Sequence, residues 1–126
     1  MPNELILIIE DNDKNRKLIR DLLQVKGYQT IESETAENGL KLAEEKTPAL
    51  ILMDIQLSGM DGITAMKHLK AAPKTNNIPV VAITASAMTH NRQAMLAEGF
   101  DGYQTKPFNL KEFLADVERL IANHGR

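Results

Sequence analysis

Glu10 and Asp11, Asp54, Thr84 and Lys106 each stand where a short strand-like run gives way to a different chemistry. The runs are "LILII" at 5–9, "LILM" at 50–53, "VVAI" at 80–83 and the weaker "GYQT" at 102–105. If these are parallel strands, their carboxyl ends share one rim of a sheet, and three acids, one hydroxyl and one amine meet there. Carboxylates brought together raise one another's pKa and repel unless a cation is present, so the group asks for a metal. Only oxygen ligands are on offer, because the chain has no cysteine and its histidines lie away from the strand ends. That favours Mg2+ over zinc or copper. Two carboxylates and a divalent ion beside a hydroxyl and a lysine suit phosphoryl transfer. The ion would neutralise charge on the incoming group, Asp54 would attack in line, and Thr84 and Lys106 would hold the other phosphoryl oxygens, leaving an aspartyl phosphate.

Taken singly, each residue has an ordinary explanation. Acids follow strands because Asp and Asn open loops and cap helices. Thr84 alone is a β-branched strand residue and Lys106 alone a solvated charge. The joint placement on one rim is what separates the chemical reading from these.

The elements that must position the group can be read from periodicity. Unbroken Ile- and Leu-rich runs of this length predict strands buried on both faces of a helix-covered parallel sheet. Tyr28 to Glu32 and Gly102 to Thr105 predict two weaker strands. Between the strands lie amphipathic stripes: Leu18, Ile19, Leu22 and Leu23, ended by Gly27; then Ala36, Leu40 and Ala43; then Ile63, Met66 and Leu69. Residues 88–98 carry only a weak stripe through Met95 and Leu96, whereas 110–121 place Leu110, Phe113, Leu114, Val117, Leu120 and Ile121 on one face. Asn109 and Glu112 have the spacing of a capping box at the start of this last helix. Strand and helix alternate five times, which predicts an α/β doubly wound sheet.

With 126 residues, 43% hydrophobic and 25% charged, the chain predicts one domain over 1–126 with its core at about 4–122. A formal net charge of -2 offers no broad basic field, so direct nucleic-acid binding is not expected. The apolar start is too short for a signal peptide or a membrane span, and a cytoplasmic location without membrane insertion is expected.

Four ordered segments resemble the receiver domains of two-component response regulators, the CheY-like family: "LIIEDN", "LILMDIQLSGMDG", "IPVVAITASA" and "DGYQTKPF". The resemblance covers nearly the whole chain. It implies a flavodoxin-like five-stranded parallel sheet with five helices, strand order 2-1-3-4-5, and phosphorylation of Asp54 by a histidine kinase or histidine phosphotransfer protein. It further implies Mg2+, with Mn2+ as the alternative, held by Asp11, Asp54 and the backbone carbonyl of Gln56, with Glu10 contributing through water. Thr84 and Tyr103 match the family's switch pair, Lys106 its salt-bridging lysine, and the Lys106–Pro107 bond its cis peptide. A downstream protein would read the fourth helix, fifth strand and fifth helix, and the protein would be a monomer or weak dimer. Two positions depart from the family pattern: the acidic pair is Glu-Asp rather than Asp-Asp, and Ser58 replaces the usual proline four residues after Asp54.

Other classes fit less well. Phosphatases of the haloacid dehalogenase type use a similar sheet and nucleophile, but need a second acid two residues on, where this chain has Gln56. A flavin or nucleotide carrier would need a Gly-rich phosphate loop, and neither G-x-G-x-x-G nor G-x-x-x-x-G-K occurs. The expectation is therefore a signalling switch whose only catalysis is its own phosphorylation and dephosphorylation. No output domain is expected, in a stand-alone form resembling the DivK-like single-domain regulators, with a receiver excised from a hybrid histidine kinase as the alternative. Met53, Met60, Met66, Met88 and Met95 are expected as core or partner contacts, and His68, His90 and His124 as surface residues.

Overall fold

A computed structural model of the chain describes residues 3–57, 59–85, 91–106 and 109–124. Strands β1 (Leu5–Ile9), β2 (Gln29–Ser33), β3 (Leu50–Asp54), β4 (Val80–Thr84) and β5 (Gly102–Thr105) alternate with helices. The helices are α1 (Asp13–Val25), α2 (Ala36–Lys46), α3 (Gly62–Ala71), α4 (Arg92–Glu98) and α5 (Leu110–His124). All pairings are parallel and the strand order is β2-β1-β3-β4-β5, so the predicted flavodoxin-like doubly wound sheet is the observed one.

The unbroken apolar runs follow from this layering. A strand sends successive side chains to opposite faces, and here both faces are covered. Ile6, Ile8, Leu50, Leu52, Val81 and Ile83 pack with Ile19 and Leu23 of α1 and with Phe113, Val117 and Leu120 of α5. Their neighbours Leu7, Ile9, Ile51, Met53, Val80 and Ala82 pack on the other side with Ala43 of α2, Met66 and Leu69 of α3 and Met95 of α4. Each large side chain so buried is worth about 2 kcal/mol over exposure, which makes the three central strands the rigid frame of the molecule.

Short loops deliver each strand end to the next helix because the helices start on side-chain caps. The side-chain oxygens of Asn12, Thr35, Asp61, Asn91 and Asn109 accept from the N–H groups of Asn15, Asn38, Thr64, Ala94 and Glu112 at 2.8–3.1 Å. Each such cap contributes about 1 kcal/mol. The helix N-termini therefore sit at the same rim as the strand carboxyl ends, which places positive dipole ends near the acids.

The observed elements differ from the sequence expectation in detail. β2 starts at Gln29 instead of Tyr28, because the Tyr28 N–H bonds the Leu23 carbonyl at 3.2 Å and closes the turn after α1. Gly27 holds φ 95° in that turn, a conformation that favours glycine. Leu18 and Leu110 are 46% and 50% exposed, at the margins of the stripes to which periodicity assigned them. α4 starts at Arg92 after its cap Asn91; Met88 and His90 lie outside the described residues.

Candidate functional site

The carboxyl ends of β1, β3, β4 and β5 bring the expected residues together. Glu10 extends the β1–β2 ladder by one bond, its N–H donating to the Ser33 carbonyl at 3.0 Å, which turns its side chain into the protein. That side chain is wholly buried, and its Oε2 accepts from the Asn12 N–H at 3.2 Å. Asp11, one residue on, is exposed. Asp54 ends the central strand at 4% exposure, and its Oδ1 accepts from the Gln56 N–H at 3.0 Å. Thr84 is buried at the end of β4, and its carbonyl accepts from the Lys106 N–H at 2.9 Å. Lys106 Nζ reaches back to Glu10 Oε1 at 2.9 Å and Asp54 Oδ2 at 3.4 Å.

Two further residues shape this rim without having been singled out in the sequence. Arg16 of α1 donates from Nη1 to the Glu10 carbonyl at 2.9 Å and from Nε to Glu32 at 3.1 Å. Gly62 opens α3 directly against the carboxyl end of β3: a Cβ there would stand 2.5 Å from the Asp54 carbonyl oxygen and 2.8 Å from the Ile55 Cα. A glycine after a capping Asp is a signal that could have flagged the close approach. Beyond its i,i+3 pair with Asp13, nothing local flags the reach of Arg16 to the Glu10 carbonyl and to Glu32 of β2.

The electrostatics follow from burial and proximity. Burial first, then contact with Asp54, pushes the Glu10 carboxyl up to about 7 against the opposing pull of Lys106. Burial acts to lower the Lys106 ammonium, but its pairing with Glu10 and Asp54 outweighs this and raises it. The pair is thus an ammonium facing two acids that would otherwise repel.

Glu10, Asp11 and Asp54 each offer an oxygen within 4.8 Å of the others. Glu10 Oε1 is wholly buried and, among the described residues, makes no hydrogen bond of good geometry; it faces the Lys106 ammonium at 2.9 Å. Three carboxylates converging at this distance, one of them with a buried oxygen that no protein N–H or O–H satisfies with good geometry, make an oxygen-only donor set that fits a hard divalent cation such as Mg2+.

Tyr103 on β5 is 5% exposed, packed in the core on the α2–α4 side of the sheet. The Arg92 guanidinium stands 5.3 Å from its ring centroid, an arrangement that favours a cation–π attraction. Burial pushes the Tyr103 phenol up and Arg92 pulls it down, with burial the larger effect. Pro107 and Ser58, and with Pro107 the expected cis peptide, lie outside the described residues. Met53, Met66 and Met95 are buried core residues, and His68 is exposed.

The family model of the response regulator receiver domain matches residues 6–118. The chain belongs to the response regulator receiver family. This receiver domain is 37% identical over 118 residues to the polar-differentiation response regulator DivK of Brucella ovis and of Brucella melitensis, a match spanning 94% of this chain and 96% of each relative. Among solved structures it is similar to the receiver domain of the sensor histidine kinase PA1611 from Pseudomonas aeruginosa, which was crystallised with a magnesium ion coordinated in its active-site cleft. That likeness has a TM-score of 0.88 and 30% identity over 95% of this chain and 98% of the other. The receiver domain of the Francisella response regulator 1452 superposes with a TM-score of 0.87 at 27% identity, over 96% and 98% of the two chains. Receiver domains of two-component systems are signalling switches, and that is the class of this protein. Among the described residues, no helix is long and apolar enough to cross a membrane.

Proposed function

We propose that this receiver domain accepts a phosphoryl group on Asp54 from a phosphohistidine of a histidine kinase or histidine phosphotransfer protein. The observation that carries the reading is the position of Asp54 at the end of the central strand, with the Lys106 ammonium 3.4 Å from one oxygen and the Glu10 and Asp11 carboxylates within reach of a shared cation. An Asp54 oxygen forms a bond to phosphorus while the bond from phosphorus to the donor imidazole nitrogen breaks. The electron pair leaves with that nitrogen, which takes up a proton from water.

The side chains divide the work. Lys106 pairs with the new phosphoryl oxygens as it pairs with Asp54 beforehand, and the Thr84 hydroxyl, at the end of the adjacent strand, donates to one of them. Asp11, Asp54 and the Gln56 carbonyl would hold Mg2+, with Glu10 joining through water and Mn2+ as a substitute. Bound there, the ion would screen phosphoryl oxygens from the surrounding acids. The magnesium in the related Pseudomonas receiver supports this assignment.

Phosphorylation shifts the population between two conformers by drawing Thr84 toward the phosphoryl group, with Tyr103 as its partner in the switch. A downstream protein reads the result on α4, β5 and α5. In support, Arg92 at the start of α4 covers Tyr103 of β5, and a cleft of about 200 Å³ between these elements is lined by Arg92, Gln104, Glu112, Ala115 and Asp116. The match over 96% of the length of DivK supports a DivK-like regulatory role for this domain.

Acetyl phosphate with Mg2+ should label the protein with an alkali-labile phosphate, and Asp54→Asn should abolish the label. Undiminished labelling of Asp54→Asn would sink the assignment.

A further inference from the structure

The loop that carries the proposed cation ligands is short: Glu10, Asp11 and Asn12 join β1 to α1. Its polar backbone groups are tied down from three sides. The Glu10 N–H goes to Ser33 of β2, the Asn12 carbonyl accepts from the Arg16 N–H at 2.9 Å, and the Glu10 carbonyl accepts from Arg16 Nη1 at 2.9 Å. Arg16 is therefore the one side chain that this carbonyl meets in the described hydrogen bonds. The same guanidinium donates from Nε to Glu32 at 3.1 Å and from Nη2 to Asp13, and lies 3.9 Å from Glu34. Glu32 is in turn held by Arg20 at 3.1 Å, so the far side of the fork is anchored to a second cation.

We propose that Arg16 is a positioning residue for the cation site: its planar fork spans from the Glu10 carbonyl to Glu32 and fixes the loop so that Glu10 and Asp11 are already in place before a cation arrives. The inference rests on the Mg2+ reading above and adds a residue that touches neither ion nor phosphate. A guanidinium suits the task because its donors diverge in one rigid plane, whereas a lysine ammonium is a single point that cannot bridge both acceptors. Its charge does not work against cation binding, since Asp13, Glu32 and Glu34 surround it and compensate it locally. Without Arg16 the loop ordering must occur when the cation binds, and the affinity falls by that amount.

The test measures Mg2+ affinity of the full chain by titration calorimetry, alongside the urea midpoint of the metal-free protein. Arg16→Ala should weaken Mg2+ binding about tenfold, the lower end of what loss of a ligand-orienting partner costs. Arg16→Lys, which keeps the charge and preserves folding should Arg16→Ala unfold, should fall between the two. Glu32→Gln, which loosens the anchor while leaving Arg16 in place, should weaken binding in the same direction. Wild-type Mg2+ affinity in folded Arg16→Ala or Arg16→Lys, with only the urea midpoint lowered, would reduce Arg16 to a structural residue and overturn the proposal. Absence of Mg2+ binding by the unsubstituted protein, or its persistence unchanged in Asp11→Ala, would instead remove the site reading itself.

Discussion

Replacing Glu10 by Gln should change how the metal-free protein responds to pH, and the change can be worked out from the geometry. Glu10 is wholly buried, and burial, reinforced by Asp54, lifts its carboxyl from 4.5 to about 7. The folded chain therefore keeps a proton that the unfolded chain releases. The stability contributed by this group is complete below about 4.5 and is lost as the pH rises through about 7. At about 1.4 kcal/mol per pH unit, the interval amounts to about 3 kcal/mol, most of which falls between pH 5 and pH 8. Glutamine keeps the shape and can still accept from the Asn12 N–H, but has no proton to lose. Urea unfolding with a chelator present, at pH 5 and pH 8, should show the unsubstituted protein losing stability relative to Glu10→Gln by that difference. Carboxylates elsewhere titrate in both proteins and cancel in the comparison. Mg2+ should stabilise the unsubstituted protein more at pH 8 than at pH 5, because the ionised Glu10 favours a cation beside it whereas the protonated form does not. If the two proteins lose or gain stability in parallel between pH 5 and pH 8, the account of Glu10 as a proton-holding buried acid is wrong.

Lys106→Met should leave Glu10 and Asp54 facing each other without an ammonium, costing about 3 kcal/mol at pH 8 and less at pH 5, where Glu10 holds its proton; urea midpoints at both values read this. Gly62→Ala should destabilise the fold by about 2 kcal/mol, since its Cβ meets backbone that cannot yield cheaply, and should slow labelling by acetyl phosphate as the Asp54 carbonyl is displaced. Thr84→Ala should still accept phosphate yet fail to change partner affinity on phosphorylation; an unaltered phosphorylation-dependent change in a binding assay would remove Thr84 from the switch. Asn12→Ala should cost about 1 kcal/mol by leaving the Asn15 N–H uncapped, measured by thermal or urea unfolding.

The central strands were legible in the sequence because burial on two faces leaves no polar position to interrupt them, as in Leu50 to Met53. β2 was one residue out because an edge strand mixes Gln29, Thr30 and Glu32 with a single apolar Ile31, and its start depends on where the turn after α1 closes. Periodicity assigned Leu18 and Leu110 to buried faces because it measures angle around a helix axis and knows nothing of where the neighbouring element stops. The rim residues Glu10, Asp11, Asp54, Thr84 and Lys106 could be found because parallel strands convert a sequence position, the end of an apolar run, into a place in space. Arg16 and Gly62 escaped that logic. Their importance comes from a carbonyl oxygen each, on Glu10 and Asp54; the glycine after the capping Asp61 hints at one of these contacts, while nothing in the sequence hints at the other.

The odd and even positions of each central strand belong to two separate packing layers, and this makes the chain intolerant of a particular kind of change. Insertion or deletion of one residue inside β1, β3 or β4 would exchange the layers for every residue beyond it and swing Glu10, Asp54 or Thr84 off the rim together. Point substitutions in those strands can drift in size, but their length cannot. Variation in length is confined to the connections, so an engineer wishing to splice a reporter into this domain has the connection between α3 and β4, at the exposed Asn76 and Asn77, on the amino-end side of the sheet opposite the acids.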